Sequence, residues 1–153
     1  GQLQETVTYN TETGFPSSKK VYNPEGLHET KYFDNGNIFV EYDVISDLPH
    51  GTVTFFNAEG KKIASGTFQN GLPVSGTFVA RNLYSEGEFI IISPTEKTLQ
   101  AQVVVDGKTK ATISYAFTAK PEDPSKAFTD FITMIQSAHS GFEFDLFNNY
   151  YSY

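Results

Sequence analysis

The segment Leu48-Pro49-His50-Gly51-Thr52-Val53 returns, slightly altered, as Leu72-Pro73-Val74-Ser75-Gly76-Thr77-Phe78, with glycines at 60, 66 and 71 between the two. A period of about 24 residues with fixed glycines marks a repeat architecture, and no other feature of the chain constrains its fold as strongly. Inside the period runs a shorter unit, an aromatic residue followed by a few polar ones and then glycine. It appears at residues 9–14, 22–26, 32–36, 55–60 and 68–71, giving one turn every 10 to 12 residues. Asn-Gly and related pairs supply the positive φ that tight hairpin turns demand. Between turns, Ile38, Val40 and Tyr42 alternate with Phe39, Glu41 and Asp43, a strand period and not a helical one. Strand, turn and strand at this spacing predict an antiparallel meander. A weaker copy runs from Gly76 to Phe89, where the pattern fades.

From Ile90 the character changes. Ile90-Ile91-Ile92 precedes Ser93-Pro94, a strand ending in a turn, and Leu99, Ala101 and Val103 then alternate with polar residues. After Asp106-Gly107 come Ala111, Ile113, Tyr115 and Phe117. A two-residue turn there would put Val103 and Ile113 on opposite faces, so parity predicts a three-residue loop, Val105-Asp106-Gly107 with Gly107 left-handed. One helix is expected over about residues 124–139, with Asp123 as N-cap and Pro124 at the first helical position. Its apolar stripe is Ala127, Phe128, Phe131, Ile132, Ile135 and Ala138, and Gly141 follows His139 as a stop. Phe142, Phe144 and Leu146 alternate and predict a final strand.

Composition narrows the function classes. The 153-residue chain carries a net charge of −7, which argues against nucleic acid, whose recognition needs a basic footprint, and against electrostatic docking on anionic lipid. No apolar run reaches the length of a membrane span, so direct membrane insertion is not expected. With no cysteine, disulfides and thiolate metal sites are excluded. The only methionine is Met134, so Gly1 reads as a remnant of tag removal and a targeting segment is expected ahead of Gln2. The expected location is secreted, periplasmic or cell-surface.

The stretch from about residue 29 to 89 resembles MORN repeats, in the variant found in bacterial proteins classed as YwqK-like antitoxin components. The resemblance is carried by Tyr32-Phe33-Asp34-Asn35-Gly36, by residues 50–62, by Gly66-Thr67-Phe68-Gln69-Asn70-Gly71 and by Gly76-Thr77-Phe78. It implies a twisted, elongated antiparallel sheet with one hairpin per repeat, acting as an interaction scaffold, and it brings no catalytic motif. Residues 90–153 have no counterpart in it.

Candidate chemistry is sparse. His28, His50 and His139 include no pair at ligand spacing within one helix or hairpin, and no zinc motif is present. No serine has a nucleophile elbow or a His/Asp partner in sequence. Asp34, Asp43, Asp47, Glu86 and Glu88 lie at or near turns and read as solvated carboxylates. Aromatic residues are the remaining candidates. Successive residues of a strand point to opposite faces, so Tyr32-Phe33 and Phe55-Phe56 should place one ring on each side of the sheet. If the helix and tail cover one side, the other exposes a row of rings for a partner; alternatively, the rings stack on one another across strands.

The expected molecule is therefore mainly β: an elongated antiparallel meander of MORN-like hairpins over residues 1–89, followed by a hairpin, helix and terminal strand over residues 90–153. The helix packs on the sheet or caps its end. The expected function is non-enzymatic binding, without a cofactor, of a protein or a cell-envelope polymer, through Tyr32, Phe33, Phe55, Phe56 and Phe68. Two competing expectations are an antitoxin-like neutraliser of a basic protein and a glycan hydrolase, the latter needing paired carboxylates in a walled cleft.

Overall fold

The computed structural model describes residues 4–69, 71–82, 84, 87–95, 98–116, 124–139 and 141–144. Seven strands, β1 (Gln4–Tyr9), β2 (Pro16–Asn23), β3 (Gly26–Tyr32), β4 (Ile38–Ile45), β5 (Leu48–Phe56), β6 (Lys62–Gln69) and β7 (Leu72–Gly76), form one antiparallel meander in sequence order. A second antiparallel sheet holds β8 (Phe78–Arg81), β9 (Glu88–Pro94), β10 (Thr98–Val105) and β11 (Lys108–Ala116), and the helix α1 (Pro124–Ala138) follows. The mainly β class, the meander and the single C-terminal helix are as the sequence predicts. The break between sheets falls at Thr77, well before Phe89, because the hairpin rhythm continues across it while the hydrogen-bond ladder does not.

The repeat acts at the turns. The β1–β2, β3–β4 and β5–β6 turns are closed by Asn10 N–H to Phe15 O, Phe33 N–H to Asn37 O and Asn57 N–H to Lys61 O, at 2.9, 2.7 and 2.8 Å. Three residues past each turn glycine (14, 36 and 60) comes one extra residue on the returning strand: Ser17, Phe39 and Ile63. These bulges share one origin, since a bulge re-aims the chain beside a turn. Side chains also tie each turn to the next. Asn10 Nδ2 lies 3.4 Å from Asp34 Oδ1, and the Asn35 and Asn37 amides both donate to Ala58 O, at 2.9 and 2.7 Å.

Register assigns the faces of the first sheet. Val40, Phe55 and Ala64 are cross-strand partners, as are Tyr42, Val53 and Gly66, and all six are buried. The opposite face carries Glu41, Thr54 and Ser65 in one cross-strand row and Thr52 opposite Thr67 in another. Phe78, at the start of the second sheet, lies over the buried face. Its ring centroid is 6.3 Å from that of Phe55 and 4.9 Å from that of Phe68, both edge-on. Phe33–Phe39 and Phe39–Phe55 continue the chain of rings, at 5.3 and 5.8 Å. Each such pair contributes about 0.5–1.5 kcal/mol beyond its burial. The core continues through Ile90, Ile92, Leu99, Ala101 and Val103 to Phe128, Phe131, Ile132 and Ile135 of the helix. The helix thus buries four of its six predicted stripe residues, while Ala127 is half-buried and Ala138 exposed.

Three local expectations meet a different outcome or none. The β10–β11 turn has two residues, Asp106 and Gly107, both at positive φ (51° and 81°), with Val105 opposite Lys108. The predicted alignment nevertheless holds, Val103 facing Ala111 and Ala101 facing Ile113, because Lys110 is a bulge that restores the parity. Phe142 makes only an isolated bridge to Asn82, and Phe144 is buried without joining a strand; Glu143 is drawn away to an arginine instead. Leu146 and the N-cap Asp123 lie outside the described residues.

Candidate binding face

Folding the second sheet onto one side of the meander leaves the other as a broad polar surface. From β3 to β5 it carries His28, Glu41, Asp43, His50, Thr52 and Thr54, with Ser65 and Thr67 continuing on β6; Thr30, in register with Glu41, is buried among them. His28 Nδ1 is 2.8 Å from Asp43 Oδ1, and its Nε2 is 4.0 Å from Glu41 Oε2. These are solvated cross-strand pairs of the kind that contribute about 0–1 kcal/mol. Among the described residues, no group of three or more His, Asp or Glu side chains is arranged to hold a metal ion. Asp34 and Asp47 are exposed turn residues, Glu88 accepts a 2.8 Å bond from Asn82 Nδ2, and Glu86 lies outside the described residues.

The five candidate rings divide between the two sides. Phe33, Phe55 and Phe68 are 7%, 0% and 1% exposed, locked in the ring chain of the core, and are unavailable to a partner. Tyr32 and Phe56 are their outward-facing neighbours and are half-buried on the open side. Each adjacent pair thus places one ring per face, as its alternation implies. Of the five candidates, Tyr32 and Phe56 remain on the open side: Phe78 covers Phe55 and Phe68, and Phe33 lies against Phe39 beneath the Arg81 guanidinium. The phase of the neighbouring strand residues carries that distinction, since Phe55 shares its face with Val53 while Phe56 follows Thr52 and Thr54.

Sequence reasoning passed over Tyr9. It stands immediately before the closing hydrogen bond of the first turn, as Tyr32 and Phe56 stand before theirs, and it is 60% exposed. Register puts Thr8 on the face of Ser18, Lys31 and Val40, so Tyr9 points to the open side with Tyr32 and Phe56. Aligning the turns by their hydrogen bonds is the signal that finds it, because the first turn is one residue longer than the others.

A second polar site lies at the seam between the sheets. The Arg81 guanidinium sits 4.6 Å from the Phe39 ring centroid and 5.5 Å from that of Phe33. Its Nη1 donates to Tyr32 O at 2.8 Å and its Nη2 to Glu143 Oε2 at 3.3 Å, while Lys31 Nζ lies 3.9 Å from Glu143 Oε1. Glu143 N–H bonds back to Arg81 O at 2.8 Å. This is a clasp. It joins β3, β8 and the segment after the helix, and its Arg81, Glu143 and Lys31 side chains are 15%, 16% and 21% exposed.

Compared with known proteins, the chain matches no family model, and no curated protein or solved structure is significantly similar to it. No helix among the described residues is long and apolar enough to cross a membrane.

Proposed function

We propose that the protein is a non-enzymatic binding module that works outside the bacterial cell, presenting the open face of its seven-stranded sheet to a protein or a cell-envelope polymer. The observation that carries this reading is the asymmetry of that sheet. One face is covered by the second sheet, in a core that runs on to the helix, while the other holds hydroxyls, charged side chains and the outward rings of Tyr32 and Phe56. The local resemblance to MORN repeats, whose hairpin arrays act as scaffolds, agrees with it. A flat polar face also suits binding better than catalysis, which requires reacting groups to be held out of water.

The chain has no cysteine, so single labels can be placed cleanly. Thr52→Cys and Thr67→Cys lie exposed on the open face, and Met134→Cys lies on the outer side of the helix. Each is coupled to a polyethylene glycol maleimide and tested for retention on isolated bacterial envelopes. Labels at 52 and 67 should abolish retention and the label at 134 should spare it. The reverse pattern would refute an open-face role.

An antitoxin-like role is the second reading. The net charge of −7 and the exposed turn carboxylates favour a basic protein as the partner.

A further inference from the structure

Tyr9, Tyr32 and Phe56 occupy one position of the repeat, and they sit on β1, β3 and β5. Rings on alternate strands of a sheet are two strand spacings apart, about 9.4–9.8 Å, so the row from Tyr9 to Phe56 spans about 19 Å. Between the rings lie Pro16 and Ile38, the register partners of Tyr9 and Tyr32. Beyond the row, on the turns, stand Glu12, Asp34 and Glu59, all exposed. Among the described residues the cations at the turn end of the row are Lys61 and Lys62, beside Phe56, while Lys19 stands on the same face between Tyr9 and Tyr32, on the side away from the turns.

A polyproline II helix has three residues per turn and rises about 3.1 Å per residue, so it repeats every 9.3 Å or so, close to the ring spacing. An α-helix repeats at about 5.4 Å, and two of its turns overshoot the rings. A strand would add at a sheet edge, not across a face.

We propose that this row binds an extended proline-rich, cationic peptide segment, with a proline at every third residue resting on Tyr9, Tyr32 and Phe56 in turn. The proposal rests on the open-face reading and names its ligand. Prolines stack on aromatic rings, and the preformed helix loses little entropy on binding. Its backbone stays hydrated, so it needs no ladder of hydrogen bonds from the face that receives it. The intervening residues reach the turn carboxylates, and Lys and Arg there pair with Glu12, Asp34 and Glu59. A neutral polysaccharide can donate hydroxyls to those carboxylates but brings no opposite charge, so the salt dependence of binding separates the two ligands.

The protein contains no tryptophan, so Tyr32→Trp and Phe56→Trp each install a single reporter on the row while keeping an aromatic ring. Each is titrated with a synthetic peptide of repeating Pro-X-X units bearing Arg, with a scrambled peptide of equal composition, and with a soluble β-1,4-glucan. The ordered peptide should give a saturable emission change that weakens with added salt. Tyr9→Ala in either background should weaken it about tenfold, as loss of a ring anchor does, and Tyr84→Ala, an exposed ring off the row, should not. No saturable change with the ordered peptide, equal binding of the scrambled one, or a response to the glucan alone would each overturn the proposal. If the label at Thr52 blocks envelope retention while Tyr9→Ala and Tyr32→Ala leave it intact, the open-face role stands and the peptide assignment falls.

Discussion

The contact that decides which face stays open is Phe78 over Gly66, and it can be tested by a double-mutant cycle. A Cβ built on Gly66 would lie 2.6 and 2.7 Å from ring carbons of Phe78 and 3.0 Å from Ser75 O, on a backbone with ordinary φ. Gly66→Ala therefore forces the ring to move, and overpacking of this kind costs about 1–3 kcal/mol. Loss of glycine's unfolded-state freedom returns about 0.4–1 kcal/mol of that. Phe78 is fully buried, and Phe78→Ala should cost about 3–5 kcal/mol. With the ring gone, the added methyl keeps the Ser75 carbonyl contact and partly fills the vacated space. The double mutant should then be more stable than the sum of the singles predicts, by about 1–2 kcal/mol, within the range seen for residues in contact. Urea unfolding followed by far-ultraviolet circular dichroism measures all four proteins. Additivity within about 0.5 kcal/mol would mean that the ring does not sit over Gly66. The docking of the second sheet, and with it the assignment of the open face, would then be wrong.

Arg81→Ala should destabilise the protein by about 3 kcal/mol, because Glu143 is left nearly buried with only a distant lysine. Hydrogen exchange should accelerate at the Glu143 amide before the first sheet is affected. Asn35→Ala and Asn37→Ala each remove one of two donors to the same Ala58 carbonyl. Asn37→Ala should cost about 0.5 kcal/mol, Asn35→Ala about 1 kcal/mol because it also removes the acceptor of the Asn37 N–H, and the pair about 2 kcal/mol, since only the double change leaves the Ala58 oxygen without a side-chain donor. Additive single effects in urea melts would refute the sharing. Deleting Lys110 should leave a regular two-residue hairpin with Val103 still facing Ala111, and should change stability by about 0.5 kcal/mol or less. A large loss on that deletion would mean that the bulge is required for the packing of the second sheet.

Local periodicity made most of the elements legible. The strands follow from alternation between glycine-bearing turns, and the helix from Phe128, Phe131, Ile132 and Ile135 at helical spacing. Parity also placed Val103 and Ala111 on one face correctly. It could not say how, because a three-residue loop and a two-residue loop with a bulge at Lys110 are equivalent in parity, and the choice depends on whether Asp106 accepts positive φ. The sheet break at Thr77 was not legible for a different reason. Hairpin spacing reports that strands follow one another, but whether β8 extends the first sheet or starts another depends on contacts such as Phe78 with Phe55. The candidate site shared that dependence. Tyr32-Phe33 and Phe55-Phe56 announce one ring per face, but only the folding-over of the second sheet says which face is lost.

Alternation along β1, β3 and β5 explains why rings collect on the face that remains, and the bulges set what lies beside them. Tyr9, Tyr32 and Phe56 follow the phase of their own strands, whereas Ser17, Phe39 and Ile63 shift the phase of the returning strands. The inserted residue lets Phe39 and Val40 both face inward while Ile38 turns outward beside Tyr32. Phe33 and Phe55 thereby join the core, while Tyr32 and Phe56 beside them, and Tyr9 on the first hairpin, stand on the open side just before their turns. Row length then grows with the number of repeats at a fixed step of two strands, while the covering sheet needs to seal only the inner rings. In such a design, affinity for a periodic ligand rises with each repeat without any change in the chemistry of a single contact, as linked sites do when their spacing matches that of the ligand.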